Sequence, residues 1–285
     1  MSDAVKASGG GCLYVVATPI GNLGDMTYRA VQVLREVALV AAEDTRHSRK
    51  LLTHYQIGTP LASYHEHNAR QKVDPLLEKL RAGDDVALIS DAGTPGIADP
   101  GYRLVQACHA AGIRVAAVPG ASALVGALSV AGVPTDRFTF EGFLPAKAAA
   151  RCRLLRERAG LDQTLVFYEA PHRLLAALKD LQEVAGADRQ LVVVRELTKL
   201  HEEVFRGSVA EALAHFGQGS VKGELVLILP PAEAAPKVSM SVALRKLLEE
   251  SDLPRRQVVK IIAKEYGVPG SDVYRESLKF LDDKE

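Results

Sequence analysis

The sequence predicts an α/β protein with two α/β halves and a small helical tail. In the first half, each strand-length apolar run is followed by helical periodicity, which is typical of a mostly parallel sheet covered by helices. The second half mixes helices with strands that are adjacent in sequence, which predicts a mixed sheet. We therefore expect domains at residues 1–118, 119–232 and 238–285, with the Pro/Ala-rich linker Pro230–Pro236 before the last one.

Five short apolar runs in the first half have the length of buried strands. We expect these strands at Cys12–Thr18, Leu39–Ala42, Leu61–Tyr64, Val86–Ser90 and Arg114–Val118. Each run leads into polar or glycine-bearing residues and then into a predicted helix. After the fourth run we expect a helix over about 101–111, with Asp99 as its cap and Pro100 at its first position.

The stretch VALISDAGTPGIADPGY, Val86–Tyr102, joins the fourth predicted strand to its helix. Asp91 ends the strand, and the glycines that follow it allow a ligand to approach the main chain closely. Ligands of open α/β sheets bind at the carboxyl ends of strands, where loops of this kind lie. The loop Pro19–Asp25 matches neither GxGxxG nor GxxxxGK[ST], so we expect a ligand without a polyphosphate. The alternative is an ordinary strand-to-helix loop with an aspartate cap.

The second half contains five further predicted strands. They are expected at Arg137–Phe143, Thr164–Tyr168, Leu191–Arg195, Val204–Val209 and Glu224–Leu229. The tail has helical periodicity over Ser241–Glu250, Arg255–Tyr266 and from Ser271 onward, which predicts a helix-turn-helix-like unit. Arg255 and Arg256 make this unit a candidate nucleic-acid contact, and a solvated helical face is the alternative.

Composition restricts the functional class. The formal net charge is zero, so any surface for nucleic acid must be a local patch. The 3 cysteines are widely spaced and form no CxxC pattern, which favours a reducing cytoplasm over a disulfide framework and leads us to expect no metal site. No apolar stretch approaches the roughly 20 residues of a membrane span, so we expect no membrane partner.

Six long motifs, in order, resemble one family. They are TPIGNLGDMTYRA (Thr18–Ala30), AEDTRHSRKLL (Ala42–Leu52), SYHEHN (Ser63–Asn68), SDAGTPGIADPGYRLV (Ser90–Val105), VPGASALVGALSVAG (Val118–Gly132) and FYEAPHR (Phe167–Arg173). The chain resembles the RsmI-type ribosomal RNA 2′-O-methyltransferases of the tetrapyrrole-methylase superfamily. The resemblance implies two α/β domains with a cleft for S-adenosylmethionine between them, a helical C-terminal domain and a homodimer. It also implies the ribose 2′-hydroxyl of a decoding-centre cytidine in small-subunit (16S) rRNA as acceptor.

The resemblance also implies which residues line the donor cleft. From the first half these are Pro19, Asp91, Gly93 and Thr94, and from the second half Ala121, Ser122, Tyr168, Leu197 and Gly223. A sulfonium donor carries no phosphate, which agrees with glycine-bearing loops that lack a Walker lysine. The alternative for Tyr168 and Leu197 is that they are core residues.

A ribose hydroxyl is a poor nucleophile, so a nearby base is expected to assist methyl transfer. Glu43, Asp44 and His65 (or its neighbour Glu66) follow strands of the first sheet and are the candidate bases. Arg46 and Lys199 are candidates for neutralising a phosphate or the developing oxyanion. Each of these residues has the alternative role of a helix cap or an ion-pair partner.

The helix Ala146–Arg158 carries five cationic residues and one glutamate, and is the candidate RNA-facing surface in the body of the chain. Arg151, Arg153 and Arg156 are expected to contact phosphates there. The loops TPIGNL and DAGTP depart from the GxG and GDP motifs usual in tetrapyrrole enzymes. Three alternatives stay open: a precorrin-type tetrapyrrole methylase, a diphthine-synthase-like protein methylase and a non-enzymatic RNA-binding module.

Overall fold

A computed structural model describes residues 10–232, 239–251 and 253–280. The chain forms two compact units that divide between Pro231 and Ala232. The first nine residues of the predicted N-terminal domain and residues 233–236 of the predicted linker lie outside the described residues. None of the helices in these described ranges has the length and apolar composition needed to cross a membrane.

The first unit begins with a five-stranded, wholly parallel sheet. Its strands are β1 (Cys12–Val16), β2 (Leu39–Ala42), β3 (Leu61–Ser63), β4 (Val86–Ile89) and β5 (Arg114–Val118), in the spatial order β3-β2-β4-β1-β5. Four helices connect them: α1 (Tyr28–Glu36), α2 (Thr45–His54), α3 (Ala69–Arg81) and α4 (Gly101–Ala110). The predicted parallel, helix-covered sheet is confirmed.

Alternate strand residues fill the two faces of this sheet. Leu13 and Leu88 are buried with α3 and α4, whereas Val40 and Ile89 are buried with α1 and α2. Because both faces are covered, the strands read as continuous apolar runs, and this is why the sequence locates them well.

The tips of β1 and β4 lie at the point where the chain reverses its direction across the sheet. From β1 the chain crosses to β2 on one side, and from β4 it crosses to β5 on the other. The two following loops pair with each other, since the Thr18 amide donates to the Gly93 carbonyl (2.9 Å) and the Gly93 amide to the Thr18 carbonyl (3.0 Å). Gly93 adopts φ +80°, which favours glycine. Crevices of this kind are the usual ligand sites of α/β sheets.

One local prediction is wrong. Pro100 precedes α4 instead of occupying its first position. The Asp99 carboxylate accepts hydrogen bonds from the amides of Gly101 (2.7 Å) and Gly96 (2.8 Å). These two hydrogen bonds set the start of the helix at Gly101.

The second sheet of the first unit is mixed, as predicted. Its strands are β6 (Phe138–Phe143), β7 (Thr164–Glu169), β8 (Gln190–Arg195), β9 (Glu203–Ser208) and β10 (Leu225–Leu229), in the order β6-β7-β10-β8-β9. Only β6 and β7 pair in parallel. Helix α5 (Ala123–Ala131) packs on one face, and α6 (Ala148–Arg158), α7 (Leu174–Ala185) and α8 (Val209–Phe216) pack on the other.

The described part of the second unit forms three helices: α9 (Met240–Glu250), α10 (Arg255–Tyr266) and α11 (Gly270–Leu278). They bury a core of their own that includes Leu244, Val258, Ile262 and Val273. The division at residues 118 and 119 falls between the two sheets, and as a domain boundary it stays a prediction.

Candidate active site

A cavity of about 430 Å³ lies in the first unit, between the carboxyl edge of the first sheet and the α5 face of the second. Six of the nine predicted donor residues line it: Asp91, Gly93, Thr94, Ser122, Tyr168 and Leu197. Pro19, Ala121 and Gly223 do not, but each is next in sequence to a lining residue. The structure therefore brings both predicted halves of the site to one cavity.

The cavity wall is strongly acidic. Five carboxylic acids line it, and none of the described lining residues is lysine, arginine or histidine. The acids are Glu43, Asp91, Asp99, Glu169 and Glu224. Two of them have cationic partners among the residues that the structure describes, Glu169 with Arg173 (2.9 Å) and Glu224 with Lys199 (3.3 Å). Such a wall favours a cationic ligand and disfavours a phosphate.

Three of these acids come together at the tips of β2 and β4. The amide of Asp44 donates to Asp91 Oδ1 (2.9 Å), which fixes the Asp91 carboxylate beside Glu43. The pKa of the Glu43 carboxyl is raised above its ordinary value, mainly by burial and to a smaller extent by repulsion from Asp91 and Asp99. Burial also raises the pKa of Asp99, although backbone N–H groups of Gly96 and Gly101 oppose this. Negative charge is thus held in a partly desolvated place.

The opposite wall comes from the second sheet and is mostly apolar, apart from Glu169 and Glu224. Tyr168 accepts a hydrogen bond from the Leu124 amide at the start of α5 (3.1 Å), and burial raises the pKa of its phenol. Its ring contacts Phe143 edge-on, with centroids 5.6 Å apart. Tyr168 and Leu197 both pack against the α5 core cluster and line the cavity, so the core role and the site role coexist.

The loop after β8 closes this wall in a strained conformation. Glu196 (φ +51°) and Thr198 (φ +66°) are both left-handed and flank Leu197. Thr198 Oγ1 lies 2.5 Å from Asp25 Oδ2, in the loop after β1. Strain of this kind persists where surrounding contacts enforce it, and it is common at ligand sites.

Gly223, beside the lining residue Glu224, has φ +90°, and a Cβ there would lie 2.3 Å from Glu196 Cγ. The close approach explains why a glycine is needed next to the wall.

Of the four predicted catalytic residues, only Glu43 lines the cavity. Asp44 caps α2, since its Oδ1 accepts from the Arg46 amide (2.8 Å). That hydrogen bond, with the Arg46 side chain, holds the pKa of Asp44 below its usual value, which does not suit a general base. His65 lies after β3, with Nε2 3.2 Å from Asn68 Nδ2.

Lys199 also lies outside the wall. Its ammonium is 2.7 Å from Glu196 Oε1 and 3.3 Å from Glu224 Oε2. These ion pairs favour its alternative role, as a partner of two carboxylates, over stabilisation of an oxyanion.

The structure contradicts the predicted RNA contact at Arg151. Its residue surface is 4% exposed, and its guanidinium lies 2.5 Å from Asp180 Oδ2 and donates to the Pro145 carbonyl (3.0 Å). The side chain ties α6 to α7, an interaction that joins residues 29 apart and is invisible to local sequence patterns.

The other two predicted arginines of α6 are exposed. Arg156 is paired with Glu183 (3.3 Å), whereas Arg153 has no ion pair with any described residue. The predicted basic face of α6 is therefore largely neutralised.

The chain is similar to known proteins that show its family. The Tetrapyrrole (Corrin/Porphyrin) Methylases family matches residues 12–213. A curated relative from Synechocystis sp., named ribosomal RNA small subunit methyltransferase I, is 50% identical over 94% of this chain and 98% of the relative. The chain belongs to the ribosomal RNA small subunit methyltransferase I family, within the tetrapyrrole methylases. A relative of the same name from Pseudomonas aeruginosa is 49% identical over 94% of this chain and 97% of the relative.

A shorter family member comes from Thermotoga maritima. It is 48% identical over 223 residues, which are 78% of this chain and all of the relative. Among solved structures, a diphthine synthase superposes with TM-score 0.60 at 14% identity, over 77% of this chain and 89% of that one. Thermus thermophilus uroporphyrin-III-C-methyltransferase gives 0.54 at 24% identity, over 76% and 94%. The likeness of these two structures to this chain shows a common fold and nothing more.

Family membership identifies the chain as an S-adenosylmethionine-dependent methyltransferase, which confirms the predicted enzyme class and donor. The non-enzymatic alternative is thereby excluded. The cavity residues fit this donor, because its sulfonium and ammonium groups are positive and the wall supplies carboxylates without competing cations. Asp99, Glu169, Glu224 and Phe143 line the cavity but were not predicted as site residues. Asp99 carried a signal, as a second aspartate in the central loop, and Glu169 lies within the motif FYEAPHR.

We predict that donor affinity depends on the charge of Glu43. A bound cation favours the carboxylate, so affinity is complete above the raised pKa of Glu43 and falls as the pH is lowered through that pKa. Glu43→Gln lowers donor affinity at neutral pH and flattens this dependence, with Asp99 retaining part of it. Calorimetric titration with S-adenosylmethionine measures both effects. The matched control is Glu157→Gln, an exposed glutamate on α6; equal pH profiles for wild type and Glu43→Gln would contradict the prediction.

Proposed function

We propose that the chain transfers the methyl group of S-adenosylmethionine to the ribose 2′-hydroxyl of a decoding-centre cytidine in 16S rRNA of the small ribosomal subunit. The observation that carries the proposal is a cavity lined by five carboxylates and no cationic residue, in a chain 50% identical to a ribosomal RNA small subunit methyltransferase I. The choice of ribose hydroxyl and nucleotide rests on the family resemblance of the loop motifs.

When bound, the donor supplies an electrophilic methyl group. The chain's own contribution is to hold the donor's positive groups against Asp91 and Asp99 and to keep the acceptor oxygen in line with the methyl–sulfur bond. Burial and repulsion from Asp91 and Asp99 raise the pKa of Glu43, the wall carboxylate after β2, towards the range of a general base. We assign it acceptance of the hydroxyl proton as the oxygen attacks.

A cationic stripe on α2 supports an RNA path to the cavity. Arg46, Arg49 and Lys50 are exposed and occupy positions i, i+3 and i+4, which share one helix face. Arg46 pairs only with Asp44 (3.3 Å), and Arg49 and Lys50 have no ion pair among the described residues. The stripe starts two residues beyond Asp44, whose amide holds Asp91 in the cavity wall. Phosphates flanking the acceptor nucleotide would contact this stripe.

The helical unit offers a second cationic stripe. Arg256, Lys260 and Lys264 lie at i, i+4 and i+8 on α10, and neither they nor Arg255 has an ion pair within the described ranges. A family member matched along its entire 223 residues covers only 78% of this chain, close to the extent of the α/β unit. We therefore assign the helical unit to RNA attachment and the α/β unit to methyl transfer.

The homodimer and the cytoplasmic location also belong to this proposal. Exposed apolar residues support a partner surface, among them Tyr28 (98% exposed) and Leu200 (93%). The Asp25–Thr198 contact brings their two segments together. Sedimentation analysis is expected to give twice the mass of the chain, and a monomer would contradict the dimer.

Methyl transfer to ribosomal subunits tests the activity. Small subunits from cells lacking this protein, and naked 16S rRNA, are incubated with labelled donor, and the product is mapped by resistance to alkaline cleavage. We expect one newly resistant linkage at a decoding-centre cytidine. Donor binding without RNA labelling would reject the RNA acceptor and favour a tetrapyrrole or protein acceptor.

We predict that Arg49→Glu weakens RNA binding and leaves donor binding unchanged. Loss of one phosphate contact lowers the slope of log affinity against log salt by about 0.7 to 0.9. Electrophoretic or anisotropy titrations at several salt concentrations measure this slope. Lys179→Glu on α7 is the matched control, because it makes the same charge change on the face of the second sheet away from the cavity. An equal loss in both variants would mean that only net charge matters.

A further inference from the structure

A bulge in β6 decides where Phe143 points. Phe140 pairs with Val166 and Phe143 with Tyr168, so three residues of β6 span two of β7. Gly142 lies within this bulge and adopts φ +70°, a conformation that favours glycine. Strand side chains alternate between faces, so without the bulge Phe143 and Phe140 would face opposite sides. The bulge returns Phe143 to the face of Phe140 and Tyr168, which is the cavity face.

Phe143 is held firmly but its ring is left open to solvent. The next residue, Leu144, is 3% exposed in the core on the opposite face of the sheet, and its amide donates to the Tyr168 carbonyl (3.3 Å). Phe143 itself is 56% exposed although it lines the cavity. A large apolar ring therefore stands at the solvent edge of an acidic site, supported from behind by Tyr168 at 5.6 Å.

An apolar ring that stays exposed to water gives up the free energy that its burial in a core would contribute. Single-stranded RNA is commonly held by bases that stack on aromatic side chains. For a ribose hydroxyl to reach the cavity, its nucleotide must leave its neighbours, which exposes both faces of the base. The open edge of the cavity is where that base would lie.

We propose that Phe143 is the stacking platform for the base of the acceptor nucleotide, a positioning residue for the methyl-transfer reaction. The proposal rests on the RNA acceptor proposed above. Because every base has an aromatic face, the platform holds the nucleotide without reading its identity. The adenine of the donor is the other aromatic group that could use the ring, and the experiment distinguishes the two.

The test compares Phe143→Ala, Phe143→Tyr and the control Phe138→Ala in the full-length protein. Phe138 lies on the same strand, is 43% exposed and does not line the cavity. We expect Phe143→Ala to raise the KM for RNA about tenfold or more, with little change in donor affinity. Phe143→Tyr retains the ring and should restore the KM, and Phe138→Ala should match the wild type.

A second measurement reports stacking directly. RNA that carries a fluorescent cytosine analogue at the acceptor position should be quenched on binding to wild type and to Phe143→Tyr, and less by Phe143→Ala. Reduced donor affinity with an unchanged RNA response would assign the ring to the donor and overturn the proposal, as would no change in either. If wild type binds this RNA without methylating it, the proposed function fails, while the quenching comparison still decides the role of Phe143.

Discussion

The pairing of Thr18 with Gly93 is the interaction on which the active site depends. It joins the loops after β1 and β4 where the chain reverses direction across the first sheet. The Thr18 hydroxyl also donates to the Ser90 carbonyl (3.3 Å), and Thr94 Oγ1 donates to the Ala121 carbonyl (3.1 Å) before α5. One continuous set of hydrogen bonds therefore connects both loops of the first sheet to the segment that enters the second. Asp91 and the apolar wall face each other because of this connection.

The negative charge of the cavity wall lowers the stability of the folded protein without donor. Burial raises the pKa values of Glu43 and Asp99, and repulsion from Asp91 and Asp99 adds to the effect at Glu43, so the ionised forms of both groups oppose folding at neutral pH. A sulfonium and an ammonium group offset that repulsion when the donor binds. The same field would repel phosphates, which agrees with the proposal that the RNA backbone stays at the rim of the cavity while the ribose and its base enter it. The cations that we propose to attract RNA are the exposed ones of α2 and α10.

The sequence predicted those features that depend on short segments. Buried parallel strands are continuous apolar runs, so β2 and β5 were predicted with their observed bounds. The loops at Asp91 and Ser122 were found because polar residues follow those strands. Phe143 was missed because its direction depends on a bulge that pairing with β7 defines. Arg151 was misassigned because its partner, Asp180, lies on another helix. Contacts between distant segments leave no periodic signal in a single sequence.

We propose above all that carboxylate charge at the tip of β4 binds the donor. The most direct test is calorimetric titration of S-adenosylmethionine into wild type, Asp91→Asn and Asp91→Ala. Asparagine keeps an acceptor for the Asp44 amide but removes the charge, so it separates electrostatics from loop geometry. We expect donor affinity to fall about tenfold or more in Asp91→Asn and further in Asp91→Ala, with a melting temperature of Asp91→Asn no lower than that of the wild type in the absence of donor. Wild-type affinity in Asp91→Asn would contradict the claim.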